Sequence, residues 1–228
     1  MVAALLNAKG QAAANALAST LPITITSTTA LSALISSMFA SPAGTRSVGS
    51  AGSTWATAFD DANKRATWAA IPATAGTTTV TPSNGGTNAD ITAFVAEFTG
   101  LKTAGATQAT ARKNSTGTTW TTDALLLTQD SLVICVSVET GGSTQTSTTT
   151  GSGFSVLTGT GITAGAIANA NEGHVMHISW GNFTSGQSPV GGGTWSASVP
   201  QDCWLVAFEL APAGGGGGSS SSALLLLL

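Results

Sequence analysis

The residues able to do chemistry are few, and their spacing limits what they can do. His174 and His177 are the two histidines, set as H-x-x-H inside the apolar run His174-Val-Met-His-Ile-Ser-Trp180. In a strand, side chains three apart point to opposite faces, so the two imidazoles are badly placed to close on one metal, unlike histidines three or four apart on a helix. The run predicts His174 at a core margin with Met176, Ile178 and Trp180, and His177 opposite, beside Val175 and Ser179. Asp60 and Asp61 are adjacent, whereas Asp90, Glu97, Asp123, Asp130, Glu139, Glu172, Asp202 and Glu209 are isolated. A glycosidase carboxylate pair or a calcium loop of the form D-x-D-x-D would be the functional reading of acidic residues. Neither pattern is visible, and adjacent aspartates between strands read as turn formers.

Nucleophiles fare no better. No serine stands in G-x-S-x-G, and a serine triad would have to recruit one of the two histidines. Gly159-Thr-Gly-Ile-Thr-Ala-Gly165 lacks both the G-x-G-x-x-G spacing and a Walker lysine, so it reads as a loop rather than a phosphate cradle. Cys135 and Cys203 sit in no ligand spacing and allow at most one internal disulfide; two buried free thiols is the favoured reading. The chain is expected not to be an enzyme and to need no cofactor or metal. Of six tryptophans, Trp55, Trp68, Trp180 and Trp204 lie in apolar contexts that suggest core. Trp120 and Trp195, flanked by Thr, Gly and Ser, are the candidates for exposed indoles that could stack on a sugar ring.

The elements that must position these residues are strands. Short runs rich in Val, Ile, Thr, Phe and Trp alternate with Gly, Ser, Pro and Asn clusters at intervals of about ten residues. The runs are Leu21 to Ser27, Ser32 to Ala40, Thr54 to Phe59, Arg65 to Ile71, Thr77 to Thr81 and Ile91 to Phe98. A second set comprises Thr118 to Leu127, Ser131 to Glu139, Phe154 to Leu157, His174 to Trp180, Thr194 to Val199 and Cys203 to Leu210. The Ala-rich stretch Lys9 to Leu17 is the lone helix candidate and reads as extended or irregular chain, for want of charged i,i+4 pairs. Within Cys203 to Leu210, Trp204, Val206 and Phe208 share one face and Cys203, Leu205, Ala207 and Glu209 the other. Two largely apolar faces suit a central strand.

The two sets of strands resemble one pattern written twice. Ser32 to Ala40 answers to Ser131 to Glu139, Gly52-Ser-Thr-Trp-Ala56 to Gly151-Ser-Gly-Phe-Ser155, Thr67-Trp68 to Ser179-Trp180, and Phe94 to Phe98 to Leu205 to Glu209. Stacking half-buried strands as two sheets about 10 Å apart buries both apolar faces at once. The expectation is an all-β, two-sheet β-sandwich of jelly-roll-like form spanning 1–213, with candidate half-repeats 1–101 and 102–213.

Charge is scarce: Asp, Glu, Lys and Arg make up 7% of the chain, where an ordinary soluble domain has about 25%. A surface of hydroxyls and small residues resists association poorly, which points to coverage by neighbouring subunits. Seven Lys and Arg without a basic stripe argue against nucleic acid. Met1 to Gly10 has no apolar core of signal-peptide length and no stretch approaches the roughly 18 apolar residues of a membrane span, so no membrane partner is expected. Beyond Ala213 the composition switches to Gly214 to Gly218, Ser219 to Ser222 and Ala223, a Gly/Ser linker. It ends in Leu224, Leu225, Leu226, Leu227 and Leu228, which form a candidate docking element for a groove on another subunit.

The succession Gly52-Ser-Thr-Trp-Ala56, Ala66-Thr-Trp-Ala-Ala70, Gly76-Thr-Thr-Thr-Val80 and Val95-Ala-Glu-Phe-Thr-Gly-Leu101 resembles the β-sandwich modules of tailed-bacteriophage virion proteins. Ser131-Leu-Val-Ile134, Gly151-Ser-Gly-Phe154 and Trp204-Leu-Val-Ala-Phe-Glu-Leu210 carry the same flavour in the second half. The resemblance covers 1–213 and transfers no catalytic or binding residue. It implies a location in the virion, as capsid decoration, head fibre or tail component, with copies of itself and other virion proteins as partners. A carbohydrate-binding or adhesin module that meets a host-surface glycan through Trp120 and Trp195 is the alternative.

Overall fold

The structure is a computed structural model that describes residues 2–28, 32–61, 64–70, 75–86, 88–102, 107–141, 145–149, 151–169 and 174–212. The expected leucine docking element, Leu224 to Leu228, lies outside the described residues. Its strands, in chain order, are β1 (Ala4–Ala18), β2 (Ile23–Thr28), β3 (Ala33–Ser41), β4 (Ser47–Gly49), β5 (Ala56–Asp60), β6 (Arg65–Ala70), β7 (Gly76–Ser83) and β8 (Ala89–Thr99). There follow β9 (Thr107–Thr121), β10 (Ser131–Glu139), β11 (Ser147–Thr149), β12 (Ser155–Val156), β13 (Ala166–Asn169), β14 (His174–Phe183) and β15 (Gly192–Glu209). Among the described residues there is no helix. The all-β expectation therefore holds, and the Ala-rich N-terminal stretch is a strand, antiparallel to β8 with Ala8 opposite Ala96 and Gly10 opposite Phe94.

Two large antiparallel sheets face each other. The first runs β1-β8-β3-β6-β5; the second runs β11-β15-β10-β14-β12, with β9 also on β15 and β13 also on β14. A third sheet, β2-β7-β4, was not expected. Its strands alternate apolar and polar residues, as in Leu21-Pro-Ile-Thr-Ile25, but that alternation does not say which sheet they join; β7 supplies the ladder to both neighbours.

The inner core between the large sheets takes alternate residues from each. Ala33, Ile35 and Phe39 of β3 and Phe94, Ala96 and Phe98 of β8 meet Leu132, Ile134, Val136 and Val138 of β10 and Trp204, Val206 and Phe208 of β15. The opposite residues of the same strands fill two outer cores. Leu34, Met38, Ile91, Ala93 and Val95 pack with Trp68 against Ile23, Ile25 and Val80 of the third sheet. Val133, Cys135, Cys203, Leu205 and Ala207 pack against Trp120, Trp195, Leu125 and Leu127. The two-faced apolar pattern of Cys203 to Leu210 thus marks a central strand, as read.

The two large sheets repeat one strand order: β1-β8-β3-β6-β5 is matched by β9-β15-β10-β14-β12. Ladder registers show which residues correspond. Ser36 pairs with Trp68, and Cys135 with Ser179; Ala33 pairs with Phe98, and Leu132 with Phe208. Ser36 therefore matches Cys135, as the sequence alignment had it, but Trp68 matches Ser179 and Phe98 matches Phe208, each one residue from that alignment. The correction has physical content, because a one-residue slip moves every side chain to the other face. Trp68 faces the outer core and Trp180 packs on the inner one.

Candidate functional site

Three places gather side chains capable of chemistry or recognition. The first is an ion cluster at the seam between the large sheets. Arg65 of β6 points to the inner face, as does Asp202 of β15, and the two form an ion pair that links the sheets. Arg65 also donates to Asp61 Oδ2 at 2.6 Å, and Arg112 of β9 approaches Asp61 and Asp202 at 3.4 and 3.3 Å. Asp61 Oδ1 accepts from the backbone N–H groups of Lys64 and Arg65, so this aspartate forms the turn before β6, as its sequence context suggested. Asp60 instead pairs with Arg46. The side chain of Asp61 is 1% exposed and that of Asp202 is 9% exposed. Burial works against the charge of Arg65 and lowers its pKa, opposed by Asp61. Two arginines and two aspartates balance, so the cluster is a polar clamp rather than a free acid or base.

Beside it, Trp204 donates its indole N–H to Thr67 Oγ1 at 3.0 Å, and Thr67 shares a 2.6 Å hydrogen bond with Ser37. Phe59 stacks on the Trp204 ring at 5.6 Å between centroids. These contacts consume the polar tips that a sandwich interior would otherwise strand.

The second place is a row on the outer face of the second sheet. Ladder pairing sets His177 opposite Ser137 and Ser137 opposite Cys203, with Ser137 Oγ 3.3 Å from Cys203 Sγ. Cys135 and Glu139 flank Ser137 on the same face of β10. Imidazole, hydroxyl, thiol and carboxyl are the ingredients of nucleophilic catalysis, yet all five residues are fully buried. Burial pushes the Cys203 thiol up to about 12 and the Cys135 thiol higher still. It also holds His177 down at about 4, its ring 5.8 Å from that of Trp120. Both thiols are free. At neutral pH the row contains protonated thiols and an uncharged imidazole sealed from solvent, so it is polar core. Sequence reasoning placed His177 beside Val175 and Ser179 correctly but missed the row, which only strand pairing assembles.

His174 is half-buried, edge-on to Phe39 with ring centroids 5.1 Å apart. The two histidines do point to opposite faces, and among the described residues no group of three or more His, Cys, Asp and Glu is placed to hold a metal.

The third place is an open cavity of about 780 Å³ at one end of the second sheet, lined by residues that include Trp120, Gly151, Phe183, Gln187, Val190 and Gly192. None of its lining residues is ionisable. Glycines make its walls close: a Cβ on Gly193, just behind it, would lie 2.5 Å from Trp120 Cε2 and 1.9 Å from Thr148 O. Gly153 has φ 82°, in the left-handed region, and packs on the Phe183 ring. Trp120 and Trp195 correct the sequence-based expectation of exposure. They are 0% and 3% exposed, so neither offers a ring face to a sugar. Trp120 alternates with exposed Thr119 and half-buried Thr121, and Trp195 with exposed Thr194 and Ser196.

No protein-family model matches the chain, and comparison with curated proteins and with solved structures gives no significant similarity.

Proposed function

We propose that this chain is a non-catalytic structural protein of a tailed-bacteriophage particle, present in many copies as a capsid-decoration, head-fibre or tail component. The observation that supports this most is where the charge goes. Arg46, Arg65, Arg112 and Lys102, four of the seven basic residues, are engaged in ion pairs, and what remains outside is mostly Thr, Ser, Gly and Ala. A stiff framework of three sheets with a weakly charged skin suits repeated packing against copies of itself and other virion proteins, through sheet edges and loops.

The repeated strand order reads as an internal duplication, with half-repeats 1–101 and 102–213. Two like halves present two like edges, which multiplies the contacts one copy can make. The glycan-binding alternative loses its support with the burial of Trp120 and Trp195.

The test is light scattering coupled to size exclusion on the full chain across a concentration series, followed by electron microscopy of the eluate. The reading expects a defined oligomer or regular particles. A monomer at every concentration, with no ordered assemblies in the micrographs, removes it.

A further inference from the structure

We propose that Glu139 and Gln201 form a proton-held latch in the outer core of the second sheet: Glu139 donates its carboxyl proton to Gln201 Oε1, and loss of that proton frees the brace by which Gln201 holds β9 bent. The inference goes beyond the virion reading and does not depend on it. It starts from two buried oxygens. Glu139 is 0% and Gln201 3% exposed, and Glu139 Oε1 and Gln201 Oε1 each lack a hydrogen-bond partner. The other polar atoms of both side chains are committed. Glu139 Oε2 accepts from Gly141 N–H at 2.8 Å. Gln201 Nε2 donates to Ser115 Oγ and to Thr119 O, each at 2.9 Å. A carbonyl oxygen only accepts, so the bond to Thr119 O fixes which end of the amide is nitrogen and leaves Oε1 in need of a donor.

Strand pairing brings these oxygens together. Glu139 and Gln201 are directly opposite in the β10–β15 ladder, and residues so paired share a face with Cβ atoms about 4.5–5.5 Å apart. Two acceptors in that position repel if the carboxyl is ionised, whereas one proton on Glu139 Oε1 satisfies both. The neighbouring groups supply no charge that would hold a carboxylate. The titratable residues on this face are Cys135 of β10, His177 of β14, Cys203 of β15 and Lys113 of β9, the last directly opposite Cys203. The thiols are protonated and the imidazole uncharged at neutral pH. Lys113 is exposed, and among the described residues Glu139 enters no ion pair. Burial accordingly favours the neutral acid and raises its pKa, opposed by the backbone N–H groups of Gly141 and Val175.

Gln201 couples this proton to the fold. Val199 pairs with Gly117 and Thr194 with Thr119, so residues 195–198 of β15 stand against Thr118 alone. The two hydrogen bonds from Gln201 Nε2 reach β9 on either side of that interruption, at Ser115 and Thr119. They hold the bend after which Trp120 enters the outer core. An ionised Glu139 repels Gln201 Oε1, and an amide that turns away withdraws Nε2 from β9. A shallow depression lined by Thr116, Thr140, Pro200 and Gln201 lies just outside, so water reaches the site as soon as the brace yields.

The test has two arms. In the first, the full chain carries carbon-13 at its glutamate carboxyls, which are assigned through bonds and titrated by NMR from acid to alkaline pH. Glu139 should remain the neutral acid as the pH passes the ordinary glutamate value of 4.5. In the second, hydrogen exchange across 115–121 is compared between the original chain and full-length Glu139→Gln, whose side-chain N–H donates to Gln201 Oε1 at every pH. The ratio of opening in the original chain to that in the variant should rise about tenfold per pH unit above the ordinary value, then level off once the folded carboxyl has ionised. The contribution of His177 is common to both chains and cancels in the ratio. A Glu139 carboxyl that ionises at its ordinary value overturns the proposal, because a water or a cation then joins the two oxygens. A ratio that stays flat with pH also overturns it, because it detaches the bend of β9 from the proton. The NMR titration uses the original chain and decides the proposal even if Glu139→Gln fails to fold.

Discussion

The outer faces of the two large sheets are covered by different means. On the first, a separate sheet lies over Leu34, Met38, Ile91 and Val95, and its β7 is parted from β8 by the turn at Asn84 to Gly86. On the second, β15 runs unbroken from Gly192 to Glu209, with a register shift against β9 between Thr194 and Val199. The same strand thereby serves the sheet and its cover. The first interface is aliphatic around Trp68, with Ser36 donating to Phe94 O at 3.0 Å, and Glu97 is the ionisable group buried on that face of β8. The second holds His177, Cys135, Cys203 and Glu139. The interface under the separate sheet is aliphatic apart from Ser36 and Glu97, whereas the one whose cover shares a strand with its sheet holds four titratable side chains.

The largest test of this contrast is truncation of the central indole in each interface. Trp68→Ala and Trp120→Ala should each lower unfolding free energy by about 3–5 kcal/mol in urea titrations. For Trp120→Ala the transition should stay single and sharp, because its cover shares a strand with the sheet. For Trp68→Ala, hydrogen exchange should rise first across β2 and β7 while β10 and β15 remain protected. Simultaneous loss everywhere would erase the distinction between the two covers.

Acid should separate the faces next. His177 has a folded pKa of about 4 against 6.5 for the ordinary group, so the unfolded chain takes up the proton first as pH falls. Stability from this residue is intact above 6.5 and is lost progressively down to about 4, a change on the order of 3 kcal/mol. Glu139 runs the other way. Burial raises its pKa, so its contribution is lost as pH rises through the folded value. In His177→Leu the Glu139 dependence remains and the histidine dependence vanishes. The stability difference between the original chain and His177→Leu should therefore shift by that amount between pH 7 and 4. A constant difference would mean that His177 is not sealed.

Smaller effects complete the contrast. Ser36→Ala should cost about 1 kcal/mol, the net worth of one buried hydrogen bond. Both thiols should react with a disulfide reagent only at the rate of global unfolding, because their raised pKa values leave almost no thiolate in the folded chain. Rapid labelling of Cys203 in the native protein would show that the second cover opens by itself.

Much of this framework was legible in the sequence, and the failures share a cause. Alternation within Cys203 to Leu210 gave both faces of β15, and the H-x-x-H run gave the faces of β14. Trp120 and Trp195 escape sequence analysis because Thr, Gly and Ser neighbours suggest an exposed setting. In a strand the immediate neighbours describe the opposite face. The alignment of Trp68 with Trp180 failed on the same period, since residue identity agreed and side-chain direction did not. The Ala-rich β1 carries little strand propensity and is held by its ladder to β8. The His177–Ser137–Cys203 row and the Arg65–Asp202 pair join residues distant along the chain, which local pattern does not encode.

Each large sheet is drawn from its own continuous stretch of chain, β1 to β8 and then β9 to β15. On a ribosome the first sheet can therefore close as soon as Thr99 has emerged. Its inner face, with Ile35, Phe39, Phe94 and Phe98, is then fully covered only once β10, β14 and finally β15, ending at Glu209, have followed. At about 5–20 residues per second, those intervening residues take roughly 5–20 seconds to make. Throughout that interval a nascent chain displays a finished, greasy half-sandwich. The nearest complementary surface is the same half on the next ribosome of the message, so synthesis rate and chaperone occupancy, more than final stability, should govern the yield of folded protein.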